Sequence, residues 1–140
     1  MADLFPALAL GECLDEAQAT IITCRLAGSV SKGDVVARSV AVSGELDSVV
    51  QAGANSELVI GVALRGGVSG EYIPVLKQGI IKVTASGAII GGTKIKAAAT
   101  GRVAAMVADT FTALQLVAQV IGRALQTFAD TDTGLVFIDL

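Results

Sequence analysis

The sequence contains no histidine, which removes the commonest general base and the commonest metal ligand. Ser–His and Cys–His nucleophile systems therefore cannot be assembled. Cys13 and Cys24 do not have C-x-x-C spacing. With no histidine to complete a ligand set they make a poor metal site; thiols in a reducing compartment are the expectation, with a Cys13–Cys24 bridge as the alternative. Ser29-Val30-Ser31-Lys32 matches S-x-x-K, but the partner motifs S-D-N and K-T-G are absent and the match falls in a turn between Gly28 and Gly33. Gly87-Ala88-Ile89-Ile90-Gly91-Gly92-Thr93 has the outline of a phosphate loop. Thr93 stands where a lysine must follow the last glycine, and no long helix follows, so these glycines read as hairpin turns. Asp130-Thr131-Asp132-Thr133-Gly134 starts like a calcium loop but lacks the third ligand and the distant glutamate. Turn chemistry accounts for it. Glu12, Asp15 and Glu16 read as a solvated face. These residues predict a protein with no enzymatic activity, no cofactor and no metal.

The elements that carry these residues centre on Val59 to Leu76. This stretch holds an apolar strand (Val59, Ile60, Val62, Leu64), a turn through Gly66, Gly67 and Gly70, and a second strand to Leu76. A looser copy follows at Val120-Ile121-Gly122-Arg123-Ala124-Leu125 and Gly134 to Leu140. V-I-G-x-A-L occurs in both copies, with Gly61 and Gly122 separated by 61 residues. Matching Gly70 to Gly134 makes the second turn three residues longer, since 70 + 61 is 131. Gly33-Asp34-Val35-Val36 with Ser43-Gly44-Glu45-Leu46 likewise corresponds to Gly92-Thr93-Lys94-Ile95 with Thr100-Gly101-Arg102-Val103. The chain therefore reads as two related β-modules.

Strands are predicted from about 17 to 26, 35 to 42, 46 to 50, 79 to 85, 94 to 96 and 103 to 107, in addition to the repeated hairpins. Turn signals every 8–12 residues or so indicate a β-barrel or sandwich. Pro74 inside a strand pattern is expected on an edge or beside a bulge. The stretch 104–128 is ambiguous: Leu114, Val117, Ile121 and Leu125 have helical spacing, while the repeat maps Val120 to Leu125 onto a strand. A short helix or loop near Asp109–Ala113 and a strand from about Leu116 are expected.

At 140 residues the chain is one domain in size. A chain of this length buries roughly 68–70 % of its unfolded surface and needs no disulfide or metal to hold a core. Hydrophobic residues make up 53 % and charged residues only 16 %, a balance that favours burial against other copies or a partner. A net charge of −3 with scattered basic residues predicts no nucleic-acid binding. No apolar run reaches the roughly 18–20 residues of a membrane helix, and no basic region precedes the apolar N-terminal residues, so neither a membrane span nor a secretory signal is expected. Leu4, Phe5, Pro6, Leu8 and Leu10 form an apolar segment without a helical or strand period, and Pro6 blocks a regular helix. They are the candidate interaction arm. Residues 1–28 are expected to comprise this arm and the first strand, and residues 29–140 the β-rich body, with the internal repeat at about 29–79 and 87–140.

The succession V-I-G-V-A-L (59–64), G-E-Y-I-P-V-L-K-Q-G-I-I-K-V (70–83), S-G-A-I-I-G-G-T-K-I-K-A-A-A-T-G-R-V (86–103) and V-I-G-R-A-L (120–125), with its apolar C-terminal strand, resembles the small capsid decoration (cement) proteins of tailed bacteriophages. The resemblance spans Ser29 to Leu140 and lies in strand-and-turn style. It implies a compact β-rich body and does not reach residues 1–28; with the turn spacing and the arm read above, the expected fold is mainly β, a compact barrel- or sandwich-like body built from two related β-modules, with an extended N-terminal arm and at most one short helix. It also implies a structural virion protein on the outer surface of the capsid, made in the host cytoplasm. Such a protein bridges major capsid protein subunits and stabilises the lattice, often as a homotrimer. The competing reading is a β-barrel partner- or small-ligand-binding module unrelated to capsids.

Overall fold

The computed structural model describes residues 10–14, 18–39, 48–56, 58–106 and 118–140. Among them, ten strands form one continuous sheet: β1 Cys13–Leu14, β2 Thr20–Leu26, β3 Val35–Arg38, β4 Ser48–Gln51, β5 Val59–Ala63, β6 Tyr72–Thr84, β7 Lys94–Ala97, β8 Val103–Ala105, β9 Gly122–Ala124 and β10 Thr133–Asp139. The order β2-β4-β3-β5-β6 closes on itself, because β2 also pairs with β6. This is a five-stranded barrel. From β6 the sheet continues through β10, β9, β7 and β8, and a parallel bridge, Ala85 to Val103, returns it to the end of β6. The protein is mainly β, and a three-residue 3-10 turn, Ala99–Gly101, joins β7 to β8.

The two rings have the same hydrogen-bond plan. Val30 N–H donates to the Gly67 carbonyl and Gly67 N–H to the Val30 carbonyl; Ile89 and Phe128 exchange the same pair of bonds. Gly33 N–H donates to the Ala63 carbonyl at 2.8 Å, and Gly92 N–H to the Ala124 carbonyl at 2.7 Å. Both glycines have φ of 88°, a conformation that a side chain disfavours. Arg25 pairs with Tyr72 and Thr84 with Thr133; Ala63 pairs with Val75 and Ala124 with Val136. β6 serves both rings, its first half as the last strand of one and its second half as the first strand of the next.

Three departures from the sequence reading follow from these pairings. First, the segments to Leu76 and from Gly79 are one 13-residue strand. Gly79 takes φ of 142° and carries β6 from one ring into the other without ending it. Second, Pro74 is on neither an edge nor a bulge: it pairs with Thr23 of β2 on one side, and its carbonyl accepts from Leu64 N–H on the other. The nitrogen and carbonyl of one residue face the same neighbouring strand. The missing donor therefore faces Leu64, just past the last residue of β5, and the proline forgoes only the one bond that would return to the Leu64 carbonyl at the end of the ladder. Third, the counterpart of Gly70 is Thr131, not Gly134. Gly70 N–H donates to the Leu26 carbonyl and Thr131 N–H to the Ala85 carbonyl, and both have positive φ. The second turn has the same length as the first; Thr131 accepts the left-handed conformation, which hid the match.

The strand expected from Leu116 begins at Gly122; Ala118 and Gln119 are helical, in line with the helix propensity of Ala and Gln. Residues 107–117, including Asp109–Ala113, lie outside the described residues, as do 40–47 with the end of the 35–42 strand.

Cys24, Leu26, Val30, Val36, Val49, Ala63, Ile73 and Val75 form the first core. Their counterparts Val83, Ala85, Ile89, Ile95, Val103, Ala124 and Val136 lie in a second, larger core. The remaining pair shows how each half packs. Where the first half has Gly67 and Ile73, the second has Phe128 and Gly134. A Cβ on Gly134 would lie 2.5 Å from Phe128 Cγ, and a Cβ on Gly67 would lie 3.3 Å from Ile73 Cγ2. One large and one small residue share the space in each half, in opposite order. Gly134→Ala is therefore expected to lower the urea midpoint by the equivalent of about 2 kcal/mol, the cost of overpacking a filled core. Adding Phe128→Leu should recover part of the loss.

The larger core also holds Val35, Ala37, Val62 and Leu76, which lie on the opposite faces of β3, β5 and β6 from Val36, Ala63 and Val75. Here the first ring packs against the second. The Ala52 carbonyl accepts from Gly101 N–H at 3.2 Å, and Asn55 N–H donates to the Ala97 carbonyl at 3.0 Å, so the loop after β4 is tied to the turn after β7.

Candidate docking surface

Cross-strand partners in a sheet point to the same face. Register places Ile80 beside Phe137, Phe137 beside Arg123, and Arg123 beside Lys94. This row crosses the outer face of the second ring. Phe137 is 40 % exposed and Leu125, two residues beyond Arg123, is 46 % exposed. With Lys94, Val120, Gly122 and Asp139 they line an open groove of about 410 Å³. Asp139 Oδ1 accepts from Gln78 Nε2 at 2.8 Å, which holds the carboxylate at one end. The groove is apolar along Phe137, Leu125 and Val120 and cationic at Lys94 and Arg123. That combination suits a peptide segment with apolar side chains and an acid. It offers no nucleophile–base pair and no convergent ligand set.

The matching row on the first ring is Leu76, Val62 and Val35. All three are fully buried. Beside this row the N-terminal segment joins the two rings: Gly11 N–H donates to the Lys82 carbonyl in the second half of β6 at 2.9 Å, while Leu10 packs on Gly33 of the first ring. A Cβ placed on Gly33 would come within 2.8 Å of Leu10 Cδ1. Gly11, Glu12, Cys13, Lys32 and Leu64 surround a small cleft there, of about 320 Å³. Lys32 Nζ stands 3.9 Å from Glu12 Oε1, and both are too exposed for this pair to contribute much.

Of the candidate arm, Leu10 is described; it is 38 % exposed and packs on Gly33. Leu4, Phe5, Pro6 and Leu8 lie outside the described residues, as do Asp15 and Glu16. The chemistry-like motifs resolve into turns. Ser31 N–H donates to Asp34 Oδ2 at 3.0 Å within the S-x-x-K turn. Gly87 N–H donates to Asp130 Oδ1 at 2.7 Å, and Gly91 N–H to Thr127 Oγ1 at 2.9 Å. The Gly-rich loop and the Asp-rich loop thus brace each other. Cys13 and Cys24 are thiols. Among the described residues no group of three or more His, Cys, Asp or Glu could hold a metal. The groove was not foreseen in the sequence: Phe137, Arg123 and Lys94 lie far apart in the chain, and only the register brings them together.

No family model and no curated protein matches this chain. A solved structure does: the head fiber gp8.5 N base of bacteriophage phi29, with a TM-score of 0.63 over 87 % of this chain and 95 % of that chain, at 17 % sequence identity. The chain shares the fold of a phage head fiber base. At this identity the likeness is one of architecture, and it extends over nearly the whole of both chains.

Proposed function

We propose that this chain is a non-enzymatic structural protein of a bacteriophage virion that sits on the outer surface of the head. In this reading it binds the major capsid protein, bridges neighbouring subunits and stabilises the lattice. It acts as a homo-oligomer, a trimer being favoured, and the apolar arm Leu4, Phe5, Pro6, Leu8 and Leu10 serves as a docking element. The observation that carries the reading is the likeness, over 87 % of this chain, to a phage head fiber base. The catalytically empty sequence and the exposed apolar side chains at Phe137, Leu125, Ile90 and Tyr72 support it, since repeated weak contacts over a symmetric lattice give strong attachment without a catalytic site. Binding that favours the assembled shell stabilises the shell by mass action.

The test is co-sedimentation of the purified protein with expanded shells of the cognate major capsid protein, followed by thermal melting of the shells. Saturable binding at a fixed ratio and a raised shell melting temperature are expected. Absence of binding to both expanded and compact shells would overturn the reading.

A further inference from the structure

We infer that the groove along Phe137, Arg123 and Lys94 receives the N-terminal arm of a second copy of this chain. The inference rests on the reading of the arm as a docking element and names the surface that takes it. Three observations carry it.

The first is the internal symmetry. Gly33 and Gly92 are equivalent, with the same φ and the same bond to the facing strand. Leu10 and Gly11 cover Gly33, whereas a Cβ on Gly92 would meet nothing within 4 Å. The place that the N-terminal segment covers on the first ring is open on the second. Beside it, Leu76, Val62 and Val35 are buried, while their counterparts Phe137, Arg123 and Lys94 are exposed.

The second is the chemistry of the arm. Met1 to Ala9 precede Leu10 in the sequence and supply Leu4, Phe5, Pro6 and Leu8 with one acid, Asp3, and no base. That composition complements an apolar groove with Lys94 and Arg123 at its side.

The third is direction. Ile81 pairs with both Cys13 and Val136, so β1 lies on the edge of β6 opposite β10. Gly11 is bonded to Lys82, so towards its N-terminus the chain runs away from the Ile80–Phe137 row. The described start of the chain, Leu10 and Gly11, thus lies across β6 from the groove of its own body, which favours the groove of another copy. Such a contact is heterologous, with arm and groove on different parts of the surface, and closes into a ring when the rotation permits.

Light scattering across a concentration series tests this without shells, so its outcome is independent of capsid binding. The full chain is expected at a mass at least twice the 14.1 kDa of one chain. A chain lacking residues 2–9 and the variant Phe137→Glu are each expected at the single-chain mass, with far-UV circular dichroism unchanged; Arg123→Glu serves as a second groove variant. The truncated chain has an intact groove, and Phe137→Glu has an intact arm. Mixed in equal amounts, they are expected to associate one to one. A full chain that stays at 14.1 kDa at every concentration overturns the inference, as do groove variants with unchanged mass or a mixture that fails to associate. A monomeric full chain whose truncated form binds a peptide of residues 1–12 would place the arm in its own groove and overturn the assignment to a second copy.

Discussion

Gly61→Ala and Gly122→Ala are each expected to destabilise the protein by about 3 kcal/mol or more, the upper end of overpacking costs. Both glycines sit where two strands approach closely. A Cβ on Gly61 would run into the Leu76 carbonyl oxygen, and one on Gly122 into the Phe137 carbonyl oxygen. Leu76 and Phe137 are themselves equivalent, so the same obstruction occurs once in each ring. The obstructing atoms are backbone held in ladders on both sides, which cannot turn aside as a side chain could. The sign is diagnostic. Within a strand, Gly is ordinarily worse than Ala by roughly 0.5–1 kcal/mol, so an unobstructed site would gain from the change. Gly53, in the loop after β4 and without positive φ, is an unobstructed comparison, because a Cβ there would meet nothing within 4 Å: Gly53→Ala is expected to be neutral or slightly stabilising through the entropy of the unfolded chain. Urea unfolding followed by circular dichroism reads all three. Against a typical total of about 5–15 kcal/mol, unchanged midpoints at Gly61 and Gly122 would refute the close approach.

Exchanging residues between equivalent positions should be strongly asymmetric. Val62 and Arg123 occupy the same place in the two rings. Val62 is fully buried in the larger core, whereas Arg123 is exposed in the groove. Val62→Arg puts a cation into apolar surroundings without a partner and is expected to cost about 4 kcal/mol or more. The cooperative melt should be lost or shifted down by tens of degrees. Arg123→Val removes an exposed charge and is expected to change stability by about 0.5 kcal/mol or less. If both exchanges were equally tolerated, the face carrying Val35, Val62 and Leu76 would not be packed against the second ring.

The surface proposed to bind partners was only half legible. Leu4, Phe5, Pro6, Leu8 and Leu10 stand out because large apolar residues without a period have no place in a strand. The receiving groove leaves no such trace. Phe137 reads as one more apolar residue in a C-terminal strand, and Arg123 as an interruption of one. Their meaning comes from comparison with Leu76 and Val62, and that comparison requires knowing which face of the first ring is covered.

Local chemistry is enough to reach the β class and the two related modules. The signals are β-branched runs between glycine turns and V-I-G-x-A-L in both copies. Other features emerge only when the rings are assembled. At Val35–Val36 of β3, Val62–Ala63 of β5 and Val75–Leu76 of β6 both faces are buried, β6 runs unbroken through Gly79, Pro74 lies in the middle of the sheet, and Thr131 rather than Gly134 answers Gly70. Each depends on pairings between residues far apart in the chain. A two-residue period reports which side of a strand is apolar, and a strand covered twice has no polar side to report.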